Sequence, residues 1–498
     1  MASFTVSVKW NREMYKDIDC DTNETPEVFK AQLYALTGVL PERQKVMVKG
    51  KTLGTTWEGF PVVKGATLLM MGSKEESIPT GPAEKVKFME DMNEAEIATA
   101  MDLPLGLQNL GNTCYMNATV QCLKTVPALT DSLKKFSGHV AAPDTQTSVT
   151  AALRDVYLTM DKGAALPPLI LVQALHKAFP RFSERDNHGQ LSQQDANECW
   201  TELVRTLQQK LPAEEATKYP SIIDQYMGGR FSVEMKCDEA EEESAAVSTE
   251  SFLQLSCFIE TDTRYMHSGL ISKLTEKITK NSPTLSRDAV YTKSSKVDRL
   301  PAYLTVQMVR FYYKEKQGGG GGVNAKILKD VKFPMTLDVY DLCTKRLQEK
   351  LLPMREKFKE WEDEEAQKKS ALKEKPKSSK GQDGDAKTKN FAPYRNLGSN
   401  NSGFYELQAV LTHKGRSSSS GHYVAWVKHS DDVWLMCDDD RVQTVTTEDV
   451  LKLSGGGDWH IAYVLLYGPR MLELAEGKTI PPVRCQVVEG ESEPMTTE

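Results

Sequence analysis

The sequence predicts an α+β protein of two domains, and three observations predict it. The first 75 or so residues alternate apolar and polar positions around one helical stretch, which is the plan of a small β-grasp unit. Between residues 114 and 210 apolar side chains recur at helical spacing, and from about 230 to 467 the pattern turns to strands. Helices and strands are thus segregated along the chain. The third observation is composition: 498 residues, 40% hydrophobic and 26% charged, describe a globular chain with room for two or three domains.

In the first domain, expected over 3–76, Phe4, Val6 and Val8 alternate with Thr5, Ser7 and Lys9 as a half-buried strand, and a second strand runs to about Cys20. Thr25-Pro26-Glu27 reads as a helix start, with Phe29, Leu33 and Leu36 on one face and Gly38 at the close. Strands are expected from Gln44 to Val48 and from Thr67 to Met71. The unit resembles a ubiquitin-like domain. Its last strand, Leu-Leu-Met-Met-Gly-Ser-Lys, carries one glycine where ubiquitin ends in an exposed pair, which argues for docking and against conjugation. A linker is expected over 77–104, where Ser77-Ile-Pro-Thr-Gly-Pro breaks regular structure and Lys85 to Met101 can form a short charged helix.

The main domain is expected over 105–471. Helices are expected at 149–162, 169–179 and 195–210, and strands at 230–236, 251–260, 304–313, 405–412, 422–428, 433–436 and 461–467. Gly318 to Gly322 should form a mobile loop. Residues 344–401 read as a charged insertion, a solvated helix followed by a disordered stretch, and 472–498 as a mobile acidic tail. A net charge of -7 argues against a general nucleic-acid binder. No run has the length of a transmembrane helix, and the N-terminus lacks a signal-peptide core. Nine cysteines, none in a CxxC pair, read as reduced thiols of a cytoplasmic or nuclear protein without a structural zinc site.

Chemistry first shows at Gly106-Leu-Gln-Asn-Leu-Gly-Asn-Thr-Cys-Tyr-Met-Asn117. Thr113 or Asn112 can cap a helix that opens at Cys114, where the dipole and unpaired N–H groups favour a thiolate. The local pattern reads equally as a nucleophile or as a small apolar filler. Far along the chain, Gly421-His422-Tyr423 opens a strand, and the next strand ends in Asp438-Asp439-Asp440. A thiol at a helix start, an imidazole at a strand start and an acid at a strand end together meet the needs of a papain-like thiol hydrolase.

These segments resemble the signature regions of the ubiquitin-specific proteases, as do Gln193-Gln-Asp-Ala-Asn-Glu198, Leu300-Pro-Ala-Tyr-Leu304 and Ala462-Tyr-Val-Leu-Leu-Tyr467. With the ubiquitin-like unit in front, the chain resembles the proteasome-associated type. The resemblance implies a thumb-palm-fingers fold that needs no cofactor, with ubiquitin, polyubiquitinated proteins and the regulatory particle of the 26S proteasome as partners. It implies Cys114 as nucleophile, His422 as base and then acid, and Asp439, seventeen residues after His422, as the orienting acid, with Asp438 or Asp440 as alternatives. Asn109 is implied as oxyanion donor, and Gln194 and Asp195 as holders of the ubiquitin tail. Gly318 to Gly322 and the loop Arg416 to Ser420, including Ser417 and Ser420, are implied as loops over the tail channel that shift on docking; negative charge on those serines, beside His422, is expected to move the second loop. Cys237 and Cys257 stand alone where many members carry paired zinc ligands, so the fingers are expected to fold without metal. A non-catalytic ubiquitin-binding regulator of the proteasome is the competing reading, and hydrolysis of a ubiquitin-like modifier a third.

Overall fold

A computed structural model of the chain describes residues 3–73, 104–162, 168–214, 217–314, 323–373, 387–390, 398–417, 420–430 and 432–475. The expected linker helix, the five glycines at 318–322, most of the low-complexity stretch before 398 and the tail beyond 475 lie outside them. The chain divides into two compact units, Met1–Ile97 and Ala98–Glu498.

The first unit contains β1 (Ser3–Trp10), β2 (Glu13–Asp21), α1 (Pro26–Thr37), β3 (Lys45–Val48), β4 (Lys51–Thr52) and β5 (Thr67–Met71). Its sheet has the order β2-β1-β5-β3-β4, with β1 and β5 parallel at the centre. This is the β-grasp arrangement of a ubiquitin-like domain. Pro26 at the first helical position sets φ, and Gly38 closes α1 in the left-handed region at φ 71°. The buried row is Phe29, Leu33 and Thr37, spaced by four, and it packs on Val6, Val8, Val46, Leu68 and Met70. Leu36, expected on that face, is 49% exposed, because it lies a quarter-turn off the i, i+4 row.

The second unit begins with a helical thumb: α2 (Cys114–Leu123), α3 (Pro127–Lys135), α4 (Thr145–Asp161), α5 (Leu169–Ala178), α6 (Ala196–Lys210) and α7 (Ile222–Tyr226). A four-stranded antiparallel fingers sheet follows, β6 (Gly229–Cys237), β7 (Ala246–Phe252), β9 (Thr275–Ser282) and β10 (Arg287–Arg299), in the order β7-β6-β10-β9. The palm takes β8 (Leu255–Phe258), β11 (Leu304–Val309), β14 (Thr336–Asp338), β16 (Phe404–Ser417), β17 (Ser420–Lys428), β18 (Val433–Asp438), β19 (Arg441–Thr446) and β20 (Ile461–Pro469). Its order is β19-β18-β17-β16-β20-β11-β8, with β14 on β16. The remaining elements are α8 (Met266–Ile271), the hairpin β12 (Phe311–Lys314) and β13 (Val323–Lys326), α9 (Lys345–Lys373), the pair β15 (Lys387–Asn390) and β21 (Leu472–Ala475), and α10 (Thr447–Leu451).

The palm sheet separates two apolar layers, as the period of two demands. Tyr423, Ala425 and Val427 of β17 face the thumb helices, while Val424 and Trp426 face the opposite layer. Every residue of β20 is buried, the mark of a central strand covered on both faces.

Three expectations change. The strand expected at 251–260 is two strands in two sheets, and the one at 304–313 breaks at Arg310. Arg310 is fully buried and donates to the carbonyls of Ala462, Ile327, Lys329 and Ser454, so its backbone turns out of the sheet to serve that cluster. The helix α9 is not solvated throughout: Leu351, Met354 and Phe358 are buried, Arg355 pairs with Asp338, and Arg470 pairs with Glu362. Cys237 lies in the fingers and Cys257 in the palm, each buried among apolar neighbours.

Candidate active site

Cys114 is the first residue of α2, a helix buried along its whole length. Thr113 is the N-cap residue, but its hydroxyl does not cap: it accepts from the Leu110 N–H at 2.9 Å and tightens the preceding turn. Gly111 (φ 96°) and Asn112 (φ 53°) take left-handed backbone there. Gly106 has another task. A Cβ on it would lie 2.5 Å from the Asp439 and Asp440 carbonyl oxygens, so only glycine lets the strip before Cys114 lie against the end of β18. The Leu107 N–H to Asp439 O bond of 2.8 Å fastens it.

His422 is the third residue of β17 and enters the same pocket. Its Nε2 stands 2.5 Å from Asp438 Oδ1 and 3.9 Å from Asp439 Oδ2. The carboxylate hydrogen-bonded to the imidazole is therefore Asp438, the alternative to the expected Asp439, which stands farther off. The reason is backbone: β18 ends at Asp438, and Asp439 turns to φ 54° to begin the corner into β19, which swings its carboxylate away from the imidazole. There it accepts from Asn109 Nδ2 at 2.9 Å and Asn117 Nδ2 at 2.8 Å. Asn109 is fixed at its other end as well, Oδ1 accepting from the N–H groups of Gly111 and Thr113. Asp439 thus orients the expected oxyanion donor, not the base.

Hydrogen bonds to Asp438 and to the Cys114 thiol push His422 up to about 10, against the burial of its ring. Asp438 is held below the usual carboxylate range by the same hydrogen bond. Asp439 is pushed up by burial, which outweighs its two asparagine donors. With Nε2 bonded to the carboxylate, Nδ1 is left to take the thiol proton. The thiolate can attack a carbonyl carbon, the imidazolium can return the proton to a leaving amine, and water can then release the acyl group by the same base.

Asp195 is the N-cap of α6, accepting from the N–H groups of Asn197 and Glu198, and both its oxygens receive the Tyr463 hydroxyl, at 2.9 and 2.8 Å. Burial pushes its carboxyl up. Gln194 is half-buried beside it. Gln193, to which the sequence assigns no role, touches the thiol, with Nε2 at 3.2 Å from Cys114 Sγ. Its signal was its place in the same Gln-Gln-Asp block. Ser417 pairs with Ser420 at the end of the β16–β17 hairpin, whose tip at 418–419 lies outside the described residues, as do Gly318 and Gly322. At the root of that tip a Cβ on Gly421 (φ 123°) would run into the Lys414 carbonyl. Among the described residues, one group of three potential metal-binding side chains has its atoms within 4.8 Å, and it is His422, Asp438 and Asp439, the catalytic centre itself.

A cysteine on a buried helix start, an imidazole on the facing sheet and a carboxylate behind it define a papain-like cysteine hydrolase. A model of the ubiquitin carboxyl-terminal hydrolase family matches residues 105–467. The chain belongs to that family and is a thiol-dependent deubiquitinase. Among relatives, ubiquitin carboxyl-terminal hydrolase 6 of Arabidopsis thaliana is 41% identical over 488 residues, covering 94% of this chain and all of that one. Ubiquitin carboxyl-terminal hydrolase 14 of Caenorhabditis elegans is 39% identical and covers 98% of both chains. The fold matches a chain of the SAGA Ubp8/Sgf11/Sus1/Sgf73 deubiquitinating module bound to ubiquitin aldehyde. That match has a TM-score of 0.50 at 20% identity and covers 74% of this chain and 69% of that one.

Proposed function

We propose that this deubiquitinase works on the 26S proteasome in the cytoplasm and nucleus. Its ubiquitin-like unit docks on the regulatory particle, and its catalytic unit removes ubiquitin from polyubiquitinated proteins held there. Cys114 attacks the carbonyl after ubiquitin's C-terminal glycine, while Gln194 and Asp195 line the path of the tail. The observation that carries the docking is the open face of the first sheet. Leu69 and Met71 of β5 are 43% and 54% exposed, and Met47 and Lys9 flank Leu69 in register. A separately folded unit with an uncovered apolar strip, placed ahead of a complete hydrolase, suits recruitment better than catalysis.

A ubiquitin probe with a C-terminal electrophile tests both halves of the reading. It should label Cys114 faster when purified proteasome is added, and Cys114→Ala should abolish labelling. Leu69→Glu with Met71→Glu should remove the acceleration and keep basal labelling. Acceleration unchanged by that double variant would overturn docking through this face.

A further inference from the structure

The Cys114 sulfur has a second polar neighbour besides His422. Gln193 Nε2 donates to Sγ at 3.2 Å, and the thiol can donate to Oε1 of the same amide at 3.7 Å. The amide thus offers an acceptor to the thiol and a donor to the thiolate. It is presented from a firmly held strip. Asn112 Nδ2, two residues before the nucleophile, donates to the Leu191 carbonyl at 2.7 Å, and the Ser192 N–H donates to Glu184 O at 2.8 Å. Asp195 fixes the other end as cap of α6 and partner of Tyr463.

We propose that Gln193 is a catalytic residue, whose side-chain amide donates a hydrogen bond to the Cys114 thiolate and so stabilises the charged nucleophile. A donor to the charged form of an acid stabilises that form. A neutral amide does so without placing a second cation beside the imidazolium. Gln193 transfers no proton: the thiol proton goes to His422 Nδ1. As the sulfur–carbon bond forms, the charge leaves sulfur for the carbonyl oxygen, and the amide bond to sulfur weakens. The titratable groups next to the sulfur are His422 and Tyr423 from β17 and Tyr115 on its own helix, while Asp438 and Asp439 from the end of β18 and His460 before β20 face His422. Cys199 neighbours Tyr115, and Asp195 neighbours Tyr423. Among these, His422 is the group held protonated next to the sulfur, so the amide adds to its effect.

The test is the pH dependence of Cys114 alkylation by iodoacetamide in the full chain, followed by mass spectrometry of the Cys114 peptide. This small reagent needs no ubiquitin-binding surface. In Gln193→Leu the acid limb should move up by about one pH unit. In the isosteric Gln193→Glu it should move further, since a carboxylate then faces the forming thiolate. A Gln193→Leu profile that superimposes on the parent, with its only defect in KM for a ubiquitin substrate, would overturn the proposal. So would a Gln193→Glu profile unchanged from the parent.

Discussion

Two neighbouring aspartates divide the catalytic work, and one backbone angle divides them. Asp438 ends β18 and meets His422, while Asp439, at φ 54°, meets Asn109 and Asn117. Their substitutions should therefore fail differently. His422 must be charged to protonate a leaving amine, and its proton is held until about pH 10. Turnover of a ubiquitin amide should thus persist through the alkaline range and fall only near pH 10. Asp438→Ala removes the largest cause of that elevation, so the alkaline limb should move down toward the ordinary histidine range, with kcat lower by about 100-fold or more. The same shift links to stability. The raised imidazole stabilises the fold fully below its unfolded value of about 6.5, and that contribution is lost as pH rises through about 10. Asp439→Ala should leave the alkaline limb in place and lower kcat by about tenfold, because Asn109 remains but loses its orientation, where complete loss of such a donor costs about 100-fold or more. Steady-state pH profiles of the two variants separate these outcomes, and a shifted limb in Asp439→Ala would reverse the assignment.

At the scale of elements, what could be read from the sequence followed side-chain identity, and what could not followed backbone. Cys114 at a helix start and His422 near a strand start were legible because a thiol, an imidazole and an acid together carry a chemistry that none of them marks alone. The choice between Asp438 and Asp439 was not, since a positive φ at a three-aspartate corner leaves no mark in composition. The fingers strand β9 escaped for another reason: Thr-Glu-Lys-Ile-Thr-Lys-Asn-Ser is largely solvated on both faces and shows no apolar alternation. The break at Arg310 interrupts an otherwise continuous β pattern, and its cause lies in distant carbonyls. Those four carbonyls tie β20, the strip after β13 and the turn before β20 to one guanidinium. Arg310→Met keeps the bulk and orphans the acceptors, so it should destabilise the catalytic unit by about 3 kcal/mol or more. Arg310→Lys should not restore stability, because one ammonium cannot reach four separate oxygens. A denaturant midpoint for Arg310→Lys equal to the parent's would show that charge alone, not the fork, holds the cluster.

At the scale of the molecule, each of the two units has an apolar core of its own. The first unit is small, so its stability rests on few side chains. Leu33 is fully buried between α1 and the sheet. Leu33→Ala should cost about 2–5 kcal/mol, which is much of what so small a unit has to lose. In a calorimetric scan of the full chain, the transition of the first unit should fall and that of the catalytic unit should stay. Basal turnover of a ubiquitin amide by the free chain should be unchanged, because Cys114, His422 and Asp438 all belong to the other unit. Stimulation by proteasome should be lost above the lowered midpoint, since the docking face on β5 unfolds with α1. If both transitions moved together, the units would be one cooperative body, and recruitment could not be separated from catalysis in this chain.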